Sequence, residues 1–196
     1  MMRTRVVALA AATATALSGC SMLSSDADSS GSSGSAESSS ESDKESGGES
    51  GEITTKTALA AGIDPENPPK AIAKGTFHPN SDDVESTTIE LVKLTRKENV
   101  MLAVFRFTGE GRGNQATSIY DLLGNQSVEP VFIDLENLEK YSVVDDLSSD
   151  LHTRAPLGEP MYYFTAFPLP RDGVESMDLR MTEQMGAVED VPMPQS

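Results

Sequence analysis

Cys20 is the only thiol in the 196-residue chain, and its place limits what the rest can become. It stands directly after Leu17-Ser18-Gly19, which follows Arg3, Arg5 and an apolar run from Val6 to Ala16. A positively charged start, roughly 7–15 apolar residues and a small-residue cleavage site make a secretory signal peptide. The run falls short of the roughly 20 apolar residues that a membrane-spanning helix needs. The pattern predicts a signal over 1–19 and export to an oxidising compartment. A Cys set directly after Leu-x-Gly has a further role, because its thiol is the nucleophile that takes up a diacylglycerol. With Cys20 consumed, no thiol remains for a disulfide, a metal site or redox chemistry, and the fold must stand without covalent staples.

Leu17, Gly19 and Cys20 match residue by residue the lipobox of bacterial lipoprotein signal peptides, which this segment resembles. The competing reading is an ordinary cleaved signal that happens to hold a Cys. The polar composition that starts at Ser21 weighs against it. The resemblance implies that Cys20 becomes the lipidated N-terminus of the mature protein. Each buried methylene is worth about 0.8 kcal/mol and one acyl chain gives only marginal residence, so the two chains of a diacylglycerol anchor stably. The expected address is the extracytoplasmic face of the cell membrane.

From Ser21 to Glu52 the chain is Ser/Glu/Gly-rich, with Met22 and Leu23 its only large apolar side chains. Such a stretch cannot bury enough apolar area to offset the entropy of ordering it, so 20–52 reads as a lipidated, disordered tether. As a flexible coil it spans about 30 Å. It is either a spacer lifting the domain from the membrane or a solubilising leader. Residues 53–196 then form one domain, long enough to hold a proper core.

Tether and domain carry formal charges of −7 and −11. Nucleic-acid binding needs a basic footprint that this chain lacks. An acidic body is also repelled by anionic lipid, so the membrane contact expected is the lipid on Cys20 alone.

Within the domain, Ala58-Leu59-Ala60-Ala61 reads either as a helical turn or as a first edge strand. Ala71 to Phe77 reads as a short strand. The clearest pattern is a hairpin of Thr87–Thr95 and Val100–Thr108 joined by the polar turn 96–99. The second run is apolar on both faces, with Leu102 and Val104 opposed to Met101, Phe105 and Phe107, and reads as a central strand covered on both sides. Gly109 to Thr117 reads as a loop. Further strands are expected over 118–123, 131–135, 140–144, 160–167 and 177–181, an acidic loop over 145–155, and surface wandering after Gln184. Six or seven short strands without a long helical period predict an all-β antiparallel sandwich, with a barrel as the second reading.

Ser118-Ile119-Tyr120-Asp121, Val131 to Asp134, Lys140-Tyr141, Val143-Val144-Asp145, Ala166-Phe167-Pro168 and Asp190-Val191-Pro192 fall in an order that is similar to exported lipoproteins of high-GC Gram-positive bacteria. Those proteins carry an immunoglobulin-like domain of unknown function. The likeness covers about 85–193, implies an immunoglobulin-like sandwich and an envelope address, and implies no activity. Such domains often carry a Cys pair after Val-Val-Asp; 147–152 holds none.

Chemistry-bearing groups are sparse. His78 and His152, the only histidines, would need to converge with Asp82, Asp83, Asp145 or Asp146 to hold a metal. Asp145, Asp146 and Asp150 lack calcium-loop spacing. No Gly-x-Ser-x-Gly is present. Gly109 to Asn114 lacks the Lys-Ser/Thr ending of a phosphate loop. Tyr162, Tyr163, Phe164 and Phe167 alternate on one strand, as core on both faces or as core and a recognition patch. The expectation is a non-enzymatic interaction or structural module without cofactor or metal, contacting an envelope or wall protein. A small-ligand or ion receptor is the alternative, and a wall-directed hydrolase the third reading.

Overall fold

A computed structural model describes residues 50–113 and 115–195. The segment read as a signal peptide, 1–19, with its expected lipobox Leu17-Ser18-Gly19, Cys20 and nearly all of the expected tether lie outside the described residues. The elements in order are α1 (Ser50–Ala60), β1 (Ala73–Phe77), β2 (Val84–Lys97), β3 (Val100–Gly111), β4 (Ala116–Ser118), α2 (Ile119–Leu122), β5 (Val131–Asp134), β6 (Glu139–Ser142), β7 (Arg154–Pro156), β8 (Met161–Pro168), β9 (Ser176–Arg180) and β10 (Val188–Pro192).

The strands make two four-stranded antiparallel sheets, ordered β1-β2-β3-β8 and β10-β9-β5-β6, with a two-stranded ribbon β4-β7 beside them. The chain crosses from β3 in the first sheet to β5 in the second, returns with β8 and crosses again to β9. The protein is an all-β sandwich. Beyond it, one isolated bridge (Val144 to Ala166) links β8 to the segment after β6, short of the continuous ladder that closes a barrel.

Why the sheets face each other follows from the alternation on each strand. Met101, Ala103, Phe105 and Phe107 of β3 point into one core with Phe132 of β5, Tyr163 and Phe167 of β8, and Met177 and Leu179 of β9. Phe132 and Phe167 meet edge to face across the two sheets, centroids 4.9 Å apart. Phe107 and Tyr163 make a similar contact within the first sheet at 6.4 Å. Fully burying each such side chain is worth about 1.5–3 kcal/mol.

The outer face of the first sheet is covered too. Val104 of β3, Val92 of β2 and Tyr162 of β8 pack with Ala58, Ala61 and Ile63 of the α1 segment. Leu91 and Val92, successive on β2, are buried on opposite faces, and the pairing with β3 slips one residue between Leu91 and Lys93, which turns Lys93 to the same outer side as Val92. Alternation along β8 puts Tyr163 and Phe167 toward the main core and Tyr162 and Phe164 on the helix side, covering the aromatic strand on both faces.

α1 resolves the ambiguity at 58–61 as helix. Its C-terminus closes with Gly62 at φ 67°, Gly62 N donating to Leu59 O and Ile63 N to Ala58 O. That pair of bonds, with Ile63 buried, is a Schellman stop. The helix begins at Ser50, inside the stretch read as tether, because Thr54 Oγ1 reaches Pro160 O (2.9 Å) and ties its first turns to the sandwich.

Four further expectations are corrected. Ser118–Leu123 is not a strand. Ser118 is an N-cap accepting from Asp121 N, and Asp121 Oδ2 accepts from Ser118 N, so Ile119–Leu122 becomes helical. Residues 145–155 hold a 3-10 turn and β7, and the segment after Gln184 forms β10 against β9 instead of wandering. The glycines at 109 and 111 continue β3, for packing reasons: a Cβ at Gly109 would stand 2.2 Å from Leu122 Cδ2, and one at Gly111 2.0 Å from Asp83 O.

Removing the cross-sheet aromatic contact isolates its worth. Phe132→Ala is expected to lower unfolding free energy by about 3–5 kcal/mol, read from urea transitions. A loss under about 1 kcal/mol would mean that the sheets are held together elsewhere.

Candidate functional site

Sheet edges and end loops are the two surfaces a sandwich offers, and the β1, β8 and β10 edges are obstructed. Along β8, Val144 N donates to Ala166 O and Ser149 N to Phe164 O, while Ser149 Oγ accepts from Phe164 N at 2.9 Å. Along β10, the register breaks between Val188 and Val191, Asp190 sits at φ 55°, and Pro192 lacks a donor. The β1 edge carries Met185, whose Cε would lie 2.3 Å from a Cβ on Gly75.

The end loops are different. Where β3 finishes, the β1–β2 turn, the loop after β3 and the segment after α2 surround an open polar cleft of about 530 Å³. Each wall is fixed by a local cause. Ser81 Oγ accepts from Asp83 N and Val84 N (both 3.3 Å), and Arg112 N donates to Asp83 O at 3.0 Å, pinning the β1–β2 turn to the end of β3. Gly124 and Asn125 both take left-handed φ, at 66° and 62°, so the chain doubles back and Asn125 N reaches Tyr120 O at 3.0 Å. Asn tolerates that conformation better than most residues.

Two ion pairs set the electrostatics. Arg154 lies 2.7 Å from Asp121 Oδ2, and Arg112 Nε 2.9 Å from Glu85 Oε1. Burial pulls the Asp121 carboxyl upward, but bonds from Arg154 and Ser118 outweigh it and hold the group below its ordinary value. Asn80, Gln115 and Asn125 line the same cleft, and so do the acidic residues Asp82 and Asp83. Amides both donate and accept, so the cleft suits a neutral polar surface better than an isolated anion.

The other candidates stay apart. His78 Nδ1 lies against Glu85 O at 3.1 Å, and His152 sits on Asp150 (3.2 Å) and stacks on Tyr120 with centroids 6.0 Å apart. Asp150 is held below its ordinary value, chiefly by the His152 backbone N–H and then its ring. Asp145 and Asp146 are exposed on the 3-10 turn. Among the described residues no group of three or more His, Cys, Asp or Glu is placed to hold a metal. The sequence reading missed Asn80, Gln115, Asn125 and Arg154. Its available signal was the Ser-x-x-Asp capping spacing at 118–121, which announces a helix start where a strand was drawn.

Compared with protein-family models, curated proteins and solved structures, the chain matches none.

Because Asp121 binds its proton less readily in the fold than free, its contribution to stability is present above the unfolded value near 3.8 and is lost as pH falls through the lower folded value. Wild type should therefore lose melting temperature below about pH 4 more steeply than Asp121→Asn, and equal acid slopes would remove the Arg154 pair from the account.

Proposed function

We propose that the protein is a lipid-anchored cell-envelope protein whose immunoglobulin-like sandwich is a non-enzymatic interaction or structural module. The lipid on Cys20 holds it at the extracytoplasmic face of the membrane. The sandwich meets another exported or wall component with the end loops around the cleft. The observation that carries this reading is the cleft itself. It is a concave polar surface built from inter-strand loops on a rigid scaffold, the usual place for recognition in sandwich domains. The closed edges at β8 and β10 leave less room for strand addition. The anchor accords with the acidic body and with the described helices, none of which is long and apolar enough to cross a membrane.

A second reading, a small-ligand receptor, is favoured by the cleft volume, which falls within the range of roughly 300–1,000 Å³ common for ligand sites.

Two measurements separate these ideas. Wild type should incorporate labelled palmitate and Cys20→Ala should not; equal labelling would end the anchoring assignment. A photo-reactive residue at Gln115 in intact cells should give a discrete adduct with one exported or wall component. If no adduct forms and a small wall-derived ligand at a hundredfold excess over its Kd adds about 2.7 kcal/mol of stability, the receptor reading replaces it.

A further inference from the structure

On the flank of the sandwich where β1 and β10, the edge strands of the two sheets, come together, a turn over residues 181–187 lies against Gly75. Met185 holds it there. A Cβ on Gly75 would stand 2.3 Å from Met185 Cε, with Met181 Sδ at 3.8 Å and Met185 Sδ at 4.0 Å. The missing side chain leaves on β1 the gap that the methyl end of Met185 fills.

The turn is lightly fastened. Met185 N donates to Thr182 O at 3.3 Å, a long bond for an amide. Among the described residues, Thr182 Oγ1 is the buried side-chain polar atom with no hydrogen-bond partner. Opening the turn lets that hydroxyl reach water and recovers a bond that the closed form lacks. Exposure singles out the same methionine. Met101, Met161, Met177, Met181 and Met193 are each 4% exposed or less, whereas Met185 is half-buried. It lines an open groove of about 490 Å³ together with Lys74, Thr76 and His78. A thioether is readily oxidised, and its sulfoxide is polar and unsuited to an apolar gap.

We propose that Met185 is an oxidation site that acts as a latch on the edge of the first sheet. Hydrogen peroxide delivers one oxygen atom to Sδ. A sulfur lone pair forms the S–O bond as the peroxide O–O bond breaks. The departing hydroxide takes the proton left on the transferred oxygen and leaves as water. Sulfur loses two electrons and the peroxide gains them. The polar sulfoxide leaves the gap over Gly75, the turn swings out, and Phe77 and Met181 meet water. The chemistry needs only peroxide, whether or not Cys20 carries lipid.

The test treats the full chain with hydrogen peroxide and samples it over time. Peptide mass spectra read the added oxygen at each methionine, and amide hydrogen exchange reads the backbone. Met185 should oxidise at least about tenfold faster than any of the five buried methionines. Once it is oxidised, the amides of 73–77 and 182–188 should exchange at least about tenfold faster while those of β3 and β8 hold. Comparable oxidation rates, or a Met185 sulfoxide that leaves exchange at 73–77 unchanged, would overturn the proposal. Met185→Leu fills the gap without an oxidisable sulfur, and peroxide should not alter its exchange at 73–77. A rise there would assign the opening to another methionine and sink the latch. Reducing the oxidised wild type with a methionine sulfoxide reductase should restore slow exchange, a readout that needs no variant; lasting opening would mark damage and not a latch.

Discussion

The sandwich depends on the edge-to-face meeting of Phe132 and Phe167, the aromatic contact that joins its two sheets. Immunoglobulin domains commonly close this space with a disulfide between strands B and F and a Trp against it. The chain has no Trp, and its single Cys lies at position 20, outside the described residues. The place of the staple is taken by phenylalanines and by Met101, Met161, Met177 and Met181, all buried. Aromatic pairs add about 0.5–1.5 kcal/mol beyond their area, and methionine fills irregular gaps because its side chain is unbranched. A core of this kind gives up the constraint that a cross-link places on the unfolded chain, so its stability comes from contact area.

A second layer of support lies outside the core, on the solvent side of the first sheet. Lys74, Glu90, Arg106 and Tyr162 stand in register on four neighbouring strands. Arg106 reaches Glu90 through Nε and its terminal nitrogen, both at 2.7 Å, while Lys74 is 3.8 Å away. The Glu90 bond, with smaller help from Tyr162, holds the Arg106 guanidinium above its ordinary value against the opposing pull of burial. Both partners of the close pair are largely withdrawn from water, which makes the pair worth more than an exposed one and more damaging to break. The helix covers one part of this face and the charge ladder another.

What could be read in advance follows how local its cause is. The β2–β3 hairpin was legible because its apolar alternation and polar turn lie within one stretch. The two-sided burial of β3 was legible in Val104 set between Ala103 and Phe105. By contrast, α1 was ambiguous because Ala58-Leu59-Ala60-Ala61 has no strong period, although Gly62-Ile63 after it is a helix stop. β10 was missed because Glu189 and Asp190 make it look like a tail. Its partner, β9, supplies the reason it is ordered: Asp190 N bonds Asp178 Oδ1 at 3.2 Å and Val191 is buried. The cleft was illegible for a similar reason, since Asn80, Gln115 and Asn125 come together only through crossings between sheets. Gly109 and Gly111 pointed the other way: glycine in a strand also marks close approach of another chain segment.

Left-handed backbone in the sandwich has local accounts. Among the described non-glycine residues, left-handed φ occurs at Glu98, Asn125, Leu138 and Asp190. Asn125 shapes a cleft wall, and its side chain suits the conformation. Asp190 breaks the ladder of an edge strand, an established way to discourage unwanted pairing. Glu98 closes a tight turn with a polar side chain in water. In those three the polar side chain or the local geometry accounts for the residue. Leu138, like Glu98, closes a tight turn between paired strands, here β5 and β6, with its side chain in water.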